Sequence, residues 1–168
     1  MEAKPCSHSR TVKTAQILPP DANAYGTLFG GKLMAYIDDV AAIAAVRHSR
    51  QVSVTASTDS VDFINPVKIG DIVSVEGFVT ATHSTSMEVF VKVRTENLLS
   101  GKSNICATAF LTFVALGENG RPTKVPPVYP ESEIEKRLNE GAALRRERRN
   151  ERRKYSQEMA QLFANGNK

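Results

Sequence analysis

The sequence predicts an α+β domain in which one long helix faces an antiparallel sheet, with a charged helix at the C-terminal end. Across residues 31–46, apolar side chains recur every three or four positions, which is the period of an amphipathic helix. The following segments alternate apolar and polar residues, and their short connections favour antiparallel neighbours. Ser132 and Glu135 form a capping box that predicts the start of the second helix. The domain is placed at residues 8–130 and the extension at 131–168.

The length and composition fit a single folded domain. The chain has 168 residues, 41% of them hydrophobic, which is enough for a substantial core. No run of eighteen apolar residues occurs, so we expect neither a transmembrane helix nor a membrane partner. The first ten residues lack the apolar segment of a secretory signal. These features point to the cytoplasm.

The cysteines and histidines are too few and too scattered for a disulfide framework or a metal site. We therefore expect no metal and no cofactor. Cys6 is predicted to lie in a mobile end, and Cys106 in a buried strand. His8, His48 and His83 are interpreted as surface or structural residues.

The first predicted elements are a short strand and the long helix. Residues 1–9 are expected to be disordered, and residues 10–18 alternate loosely as a strand does. Pro19 and Pro20 end this strand. The basic residues 47–50 end the helix, because cations in a last turn complement the helix dipole. The apolar face of the helix consists of Leu33, Met34, Ile37, Val40, Ala41 and Ala44.

Two acids, Asp38 and Asp39, interrupt this helix. At about 100° per residue, Asp38 lies at the edge of the apolar face, on the side of Gly31. Asp39 falls roughly 120° or more from the centre of that face. Asp38 is therefore predicted to be half-buried and Asp39 to be well solvated. Two ordinary surface carboxylates are the simpler interpretation.

Phe29, Gly30 and Gly31 lie where the helix should begin. Paired glycines let a backbone approach a ligand closely, and a helix N-terminus offers unpaired N–H groups. Aimed at a carbonyl oxygen, such groups form an oxyanion hole, and a carboxylate two turns further along can act as base or nucleophile. Asn23, in the preceding loop, can orient a water or a carbonyl. A simple turn before a helix explains the glycines equally well.

Four strands are predicted after the helix. Residues 52–56 and 61–63 alternate in opposite phase, which predicts a bulge near residues 58–60. The three remaining strands alternate more regularly and are separated by turn residues. They cover residues 73–81, 87–94 and 105–113.

The C-terminal extension is predicted to be one continuous helix from Ser132 to about Phe163. Its centre, residues 145–154, is almost wholly charged, and such a run is usually a solvated helix face. Nucleic-acid binding is the less favoured alternative. Near the end of the helix, an apolar stripe is expected to dock on the core or on a neighbouring subunit. The stripe consists of Tyr155, Met159, Leu162 and Phe163.

Seven short segments, in a fixed order along the chain, carry a resemblance to a known family. They are NAYG (23–26), FGG (29–31), MAYIDD (34–39), VTASTD (54–59), FINPVKIGD (63–71), STSME (84–88) and ATAFLTF (107–113). This ordered set resembles the hotdog-fold acyl-CoA thioesterases, most closely the bacterial acyl-CoA hydrolases related to the mammalian brain and cytosolic enzymes. The resemblance covers roughly residues 8–130.

The resemblance implies a single hotdog domain that hydrolyses a fatty acyl-CoA to a free acid and CoA. It implies that Asp38 is the general base or nucleophile and that the Gly31 N–H polarises the thioester carbonyl. It also implies that Asn23, from the partner subunit, holds the water or the substrate. Family members assemble as dimers, and the dimers pack into trimers. The resemblance adds no cofactor, because CoA belongs to the substrate.

CoA is anionic and needs hydrogen-bond donors for its phosphates. The candidate substrate-binding and CoA-binding residues are Phe29, Gly30, Arg50, Asn65, Lys68, Ser84, Thr85, Ser86 and Arg94. A polar hairpin turn explains residues 84–86 equally well. Two other functions stay open, an acyl-thioester hydratase and a non-catalytic acyl-CoA sensor whose basic tail contacts nucleic acid. Hotdog hydratases usually have a histidine near the helix start, and none lies between Pro20 and Arg47.

Overall fold

The structure, a computed structural model, describes residues 1–166. The strands are β1 (Lys4–Pro5), β2 (Thr11–Gln16), β3 (Val52–Phe63), β4 (Ile72–Thr82), β5 (Ser86–Glu96), β6 (Ser103–Leu116) and β7 (Val128–Tyr129). The helices are α1 (Gly30–Ser49), α2 (Glu133–Glu140) and α3 (Ala142–Asn165). The main sheet has the order β2–β4–β5–β6–β3 with antiparallel neighbours throughout, which confirms the predicted α+β class. No helix among these residues is long and apolar enough to cross a membrane.

Helix α1 packs against the inner face of the sheet and contacts all five of its strands. Its alanines allow this close approach, and Ala41, Ala44 and Ala45 are completely buried. The strand side chains that complete the core are mostly branched aliphatic residues. They include Val73, Val75, Val89, Val91, Val93 and Leu111. The core therefore lies between α1 and the sheet.

Strand β3 forms an irregular edge of the sheet. Its pairing with β6 shifts between Thr55 and Ser57 and again between Thr58 and Ser60, which confirms the predicted bulge. One side of β3 pairs with β6, whereas the other side has no strand partner within residues 1–166. Val52 on this strand is 70% exposed. An open edge with exposed apolar side chains is a template for pairing with a second chain.

The N-terminal segment is ordered, so the expectation of disorder at residues 1–9 is wrong. Strand β1 pairs in parallel with β7, and Cys6–Ser9 form a turn of 3₁₀ helix. Cys6 is completely buried, and this burial, together with the Glu135 carboxylate, raises the pKa of its thiol to about 12. Cys6 is therefore a packed, unreactive thiol. A two-residue strand is too short to leave a periodic pattern in the sequence.

His48 is a buried structural residue near the end of α1. Its Nε2 donates to the Pro126 carbonyl oxygen at 2.8 Å, while Nδ1 has no partner within the described chain. Lys4 Nζ donates to the His48 carbonyl oxygen at 2.6 Å and so ties the N-terminal segment to the helix. Burial lowers the pKa of His48 below its usual range of about 6.5, although the bond to Pro126 opposes this change.

We expect the protein to lose stability as the pH falls below about 6.5, where the unfolded chain protonates at His48 and the folded chain does not. The stabilisation is fully present above the unfolded pKa and is lost as the pH falls toward the lowered folded pKa. His48→Gln keeps an N–H for Pro126 without titrating, so its loss should be smaller. Thermal midpoints at about pH 8 and about pH 5.5 test this expectation. Equal losses in the two proteins would contradict it.

The C-terminal extension contains two helices, so the prediction of one continuous helix is wrong. The capping box of Ser132 and Glu135 starts α2 as predicted. The break lies at Gly141, where an added Cβ would sit 2.5 Å from Nη1 of Arg145. Because Gly141 has no side chain, the Arg145 guanidinium can lie against the backbone at this position. Glycine also disfavours a helix interior by about 1 kcal/mol relative to alanine.

The charged middle of α3 docks on the outer face of the sheet through a buried ion pair. Arg145 Nε and Nη2 donate to the two Glu88 carboxylate oxygens at 3.0 and 2.8 Å. The Arg145 guanidinium lies 4.1 Å from the centre of the Phe110 ring, and Thr80 Oγ1 donates to Glu88 at 2.8 Å. Glu88 is only 3% exposed. The prediction of a solvated helix is therefore wrong for this face, because the buried charges are paired.

A second ion-pair cluster holds the next two turns of α3 to the edge strand. Asp59 on β3 accepts hydrogen bonds from Arg149 Nη1 at 3.3 Å and Arg152 Nη2 at 2.7 Å. Thr112 Oγ1 on β6 donates to the same carboxylate at 2.7 Å. Helix α3 thus crosses from β5 over β6 to β3.

The apolar stripe at the end of α3 is largely exposed within its own chain, which leaves a neighbouring subunit, the second of the two expected docking places. Tyr155, Leu162 and Phe163 are all more than 60% exposed. Because Arg152 is already bonded to the edge strand, the eleven residues that follow it, up to Phe163, extend roughly 16 Å further. Docking of the stripe on a neighbouring subunit stays a prediction.

Candidate active site

Asp38 lies where α1 faces the edge strand β3. Its Oδ1 accepts a hydrogen bond from Thr55 Oγ1 at 2.8 Å, and the residue is half-buried. The Asp39 side chain is 57% exposed and pairs with Lys13 at 2.6 Å. The structure therefore confirms the predicted difference in exposure between the two acids. The second oxygen of Asp38, Oδ2, has no protein partner within residues 1–166 and can accept a proton.

The start of α1 offers unpaired N–H groups. The helix begins at Gly30, with Phe29 as its N-cap, and the first N–H groups of a helix have no acceptor within it. In the described chain, no backbone acceptor outside the helix meets the N–H of Gly30 or Gly31. The Phe29 ring covers Gly31, because a Cβ there would lie 2.5 Å from Phe29 Cε1. Gly31 and Asp38 are about 10 Å apart along the axis, too far to act on one carbonyl within a chain.

Asn23 organises the loop before α1. Its Oδ1 accepts hydrogen bonds from the N–H groups of Tyr25 at 2.9 Å and Thr27 at 3.3 Å. Its Nδ2 donates to Thr27 Oγ1 at 2.9 Å. The side chain is half-buried and makes no hydrogen bond to Asp38 in the described chain. Asn23 is therefore held in one orientation by its own turn.

A cavity of about 270 Å³ opens between the start of α1 and the end of β3. It brings the predicted residue Asn65 near the helix start, where Asn65 Nδ2 donates to the Ile105 carbonyl oxygen at 2.8 Å. Its other lining residues are mostly apolar, which suits an acyl chain. They are Thr27, Leu28, Leu33, Phe63, Ile64, Pro66 and Val67.

Ser84 and Thr85 lie in the turn between β4 and β5, and Ser86 begins β5, much as the alternative interpretation of a polar hairpin turn expects. Ser86 lies opposite Val114 on β6, and Val114 lies opposite Val54 on β3. The turn is therefore level with Thr55, roughly 10 Å away across two strand spacings. Thr85 and Ser86 line a cavity on the outer face of the sheet, whereas Ser84 lines a separate, smaller one.

The three basic candidates lie away from Asp38. Lys68 is exposed and bridges to Thr27, close to the helix start. Arg94 is exposed on β5 and opposite Ile105. Arg50 follows the other end of α1, roughly 30 Å from Gly30, with a φ of 57°. Within one chain, Arg50 is therefore far from the predicted substrate-binding residues at the start of α1.

Sequence reasoning does not single out Thr55, although it makes the one side-chain hydrogen bond to Asp38 found in residues 1–166. A threonine in an edge strand is common and carries no signal of its own. The feature of the sequence that could have pointed to Thr55 is its position in the segment 54–59, which is one of the segments that carry the family resemblance.

Comparison with known proteins places this arrangement in a family. A model of the thioesterase superfamily matches residues 25–101. The Bacillus subtilis protein described as uncharacterised acyl-CoA thioester hydrolase YkhA is 50% identical over 159 residues, which are 95% of this chain and 92% of that protein. The chain belongs to the acyl-CoA thioester hydrolases of the thioesterase superfamily.

Solved structures of such hydrolases superimpose on nearly the whole chain. The acyl-CoA hydrolase of Staphylococcus aureus, in complex with butyryl-CoA, CoA and CoA disulfide, is 44% identical with a TM-score of 0.92. The match covers 96% of this hydrolase-family chain and 99% of that chain. A hexameric acyl-CoA thioesterase is 49% identical with a TM-score of 0.88, covering 90% and 97% of the two chains. These matches confirm the hotdog fold.

Alanine mutants of the Staphylococcus aureus enzyme have also been solved, one each at an asparagine, an aspartate and a threonine. In that enzyme, the aspartate follows the asparagine by 15 residues, and the threonine follows the aspartate by 17 residues. Asn23, Asp38 and Thr55 have the same spacing in this chain.

Proposed function

We propose that this protein hydrolyses the thioester bond of a fatty acyl-CoA, with Asp38 as the catalytic carboxylate. The observation that carries the proposal is the half-buried Asp38, whose Oδ1 is held by Thr55 and whose Oδ2 has no partner among residues 1–166. The spacing shared with the mutated residues of the Staphylococcus aureus enzyme supports the same residues.

In the proposed mechanism, Asp38 Oδ2 removes a proton from a water molecule, whose oxygen then attacks the thioester carbon. The carbonyl oxygen becomes an oxyanion, which accepts a hydrogen bond from the N–H of Gly31 at a helix N-terminus. The carbon–sulfur bond then breaks, and the CoA thiolate takes the proton from Asp38. In the alternative, Asp38 Oδ2 attacks the thioester carbon directly, the carbon–sulfur bond breaks to release CoA, and water then hydrolyses the mixed anhydride to free acid and the Asp38 carboxylate.

We further propose that each active site is shared by two subunits. Asp38 and Gly31 of one chain are separated by about 10 Å, so a second chain has to supply the helix start and Asn23. The unpaired edge of β3 and the exposed apolar side chains of α1, Ile43 and Val46, offer a surface for that chain. The end of α3 extends past the same edge, toward the place of the second chain. The hexameric relatives support three such dimers in one assembly.

Mixing two inactive variants tests the shared site. Asn23→Ala and Asp38→Asn should each be nearly inactive, whereas their heterodimers contain one site with both residues intact. After subunit exchange, activity should return to as much as about one quarter of the wild-type value, because half of the dimers are mixed and each has one intact site. Native mass spectrometry verifies the exchange. Verified heterodimers without activity would contradict the shared site.

The function is tested by following free thiol release from a series of saturated acyl-CoAs of increasing chain length. Release that depends on Asp38 supports the hydrolase. A hydratase would instead add water to an enoyl-CoA without releasing thiol, and a sensor would bind acyl-CoA without turnover. The sensor's use of nucleic acid is disfavoured, because Arg145, Arg149 and Arg152 are engaged by acids of their own sheet. Absence of thiol release from every acyl-CoA would refute the proposed function.

A further inference from the structure

The cavity of about 270 Å³ beside the start of α1 has walls that the fold holds in place. Leu28, Leu33 and Val67 belong to the hydrophobic core, and each is at most 8% exposed. The Leu28 N–H donates to the Val67 carbonyl oxygen at 2.8 Å, which joins two of these walls. None of the lining residues in the described chain carries an ionisable side chain. The cavity therefore has a limited size and suits an uncharged chain.

Phe63, the last residue of β3, is the aromatic lining residue of this cavity, and its side chain is free to turn. The residue is 56% exposed. The backbone after it is fixed, because the Ile64 N–H donates to the Cys106 carbonyl oxygen at 2.8 Å. Asn65 Nδ2 donates to the Ile105 carbonyl oxygen at 2.8 Å and fixes the next residue. Rotation of the exposed ring, which is fast, therefore changes the width of the cavity more readily than movement of the strand does.

The Phe63 ring points at Gly30, the first residue of α1. A Cβ added at Gly30 would lie 3.6 Å from Phe63 Cζ, in van der Waals contact with the ring. The glycine therefore leaves a gap between the helix and the ring that a single methyl group would fill. Gly31, the proposed donor to the oxyanion, is the next residue. A thioester carbonyl bound there places the first carbons of its acyl chain beside this gap.

We propose that Gly30 and Phe63 form the entrance through which the acyl chain reaches this cavity, and that the Phe63 ring limits the length of the chain. The inference rests on the proposed hydrolase function, whose oxyanion hole fixes where the chain begins. A methylene group and a water molecule occupy similar volumes, about 30 Å³ each, so the cavity holds roughly nine methylene groups. Chains longer than about ten carbons have to displace the ring, and a poor fit of one methylene already costs about tenfold in kcat/KM.

Two substitutions should shift the chain-length preference in opposite directions. Phe63→Ala enlarges the entrance, so the ratio of kcat/KM for tetradecanoyl-CoA to that for octanoyl-CoA should rise at least about tenfold. Gly30→Ala fills the gap, so the ratio for octanoyl-CoA to acetyl-CoA should fall at least about tenfold. Gly30 has helical backbone geometry, and alanine therefore fits its backbone. Ratios are used because a general effect on folding or assembly changes all chain lengths alike.

The double variant Gly30→Ala/Phe63→Ala decides whether the two residues act through one gap. Removal of the ring makes room for the added methyl group, so the double variant should recover the octanoyl-CoA hydrolysis lost in Gly30→Ala. The matched control is Phe163→Ala, which removes a 73% exposed ring on α3, away from the cavity. Both ratios should stay within about twofold of wild type in this control. Unchanged ratios in Phe63→Ala, or no recovery in the double variant, would overturn the proposal.

A binding measurement separates this inference from the proposed hydrolase activity. Alkyl-CoA thioethers carry the same chain but have no carbonyl to hydrolyse, so calorimetry with the full-length protein measures chain-length selection without turnover. Relative to octyl-CoA, tetradecyl-CoA should bind at least about tenfold more tightly to Phe63→Ala than to wild type. This shift in a protein that releases no thiol would refute the hydrolase and support the entrance. Thiol release with no shift in either measurement would refute the entrance alone.

Discussion

Asp38→Asn is expected to lower kcat for acyl-CoA hydrolysis by about 10²-fold or more, which is the usual cost of losing a general base. The amide keeps the size of the carboxylate, and its oxygen can still accept the hydrogen bond from Thr55 Oγ1. It cannot take a proton from water. Thiol release under substrate saturation measures the loss, and an unchanged thermal midpoint shows that the fold is intact.

Asp39→Asn is the matched control for this prediction. Asp39 is adjacent in sequence and carries the same charge, but it is exposed and pairs with Lys13. Exposed ion pairs contribute little, so we expect kcat to change by less than about threefold. A larger loss in Asp39→Asn than in Asp38→Asn would sink the assignment.

Arg145→Ala is expected to destabilise the protein by roughly 3 kcal/mol, because it leaves the buried Glu88 carboxylate without its cation. The change also removes the contact with the Phe110 ring. Denaturant unfolding at a fixed protein concentration measures the loss. Concentration has to be fixed because assembly contributes to apparent stability.

Two further variants show whether the loss comes from the unpaired charge. Arg148→Ala, on the exposed side of α3, should change the unfolding free energy by less than about 0.5 kcal/mol. Arg145→Ala/Glu88→Gln removes the stranded charge and should recover part of the stability lost in Arg145→Ala. If the double variant were no more stable than Arg145→Ala, the ion pair would not be the cause.

Local patterns predicted most of the domain. The helical period over residues 31–46 and the alternation in the four following strands reflect which side chains face the core. The change in phase of the apolar alternation near residues 58–60 predicted the bulge. The angular positions of Asp38 and Asp39 on the helix predicted their different exposure. Each of these features depends on residues close together in sequence.

The interactions that sequence patterns missed join residues far apart in the chain. The ordered N-terminus depends on Lys4 reaching the His48 carbonyl oxygen, and on burial of Cys6. The hydrogen bond from Thr55 to Asp38 likewise joins a strand to a helix. No periodicity records such contacts, since either partner alone is an ordinary residue.

The fold class and the acid at the edge of the helix face could be predicted from the amino-acid sequence, because both depend on the position of side chains within single elements. The docking of the basic helix on the sheet depends on contacts between distant parts of the chain, which no local pattern records. From its sequence alone, a helix with so many arginines is expected to be exposed to solvent. The sheet supplies Glu88 and Asp59 at the spacing of Arg145, Arg149 and Arg152, and paired charges can be buried where unpaired ones cannot.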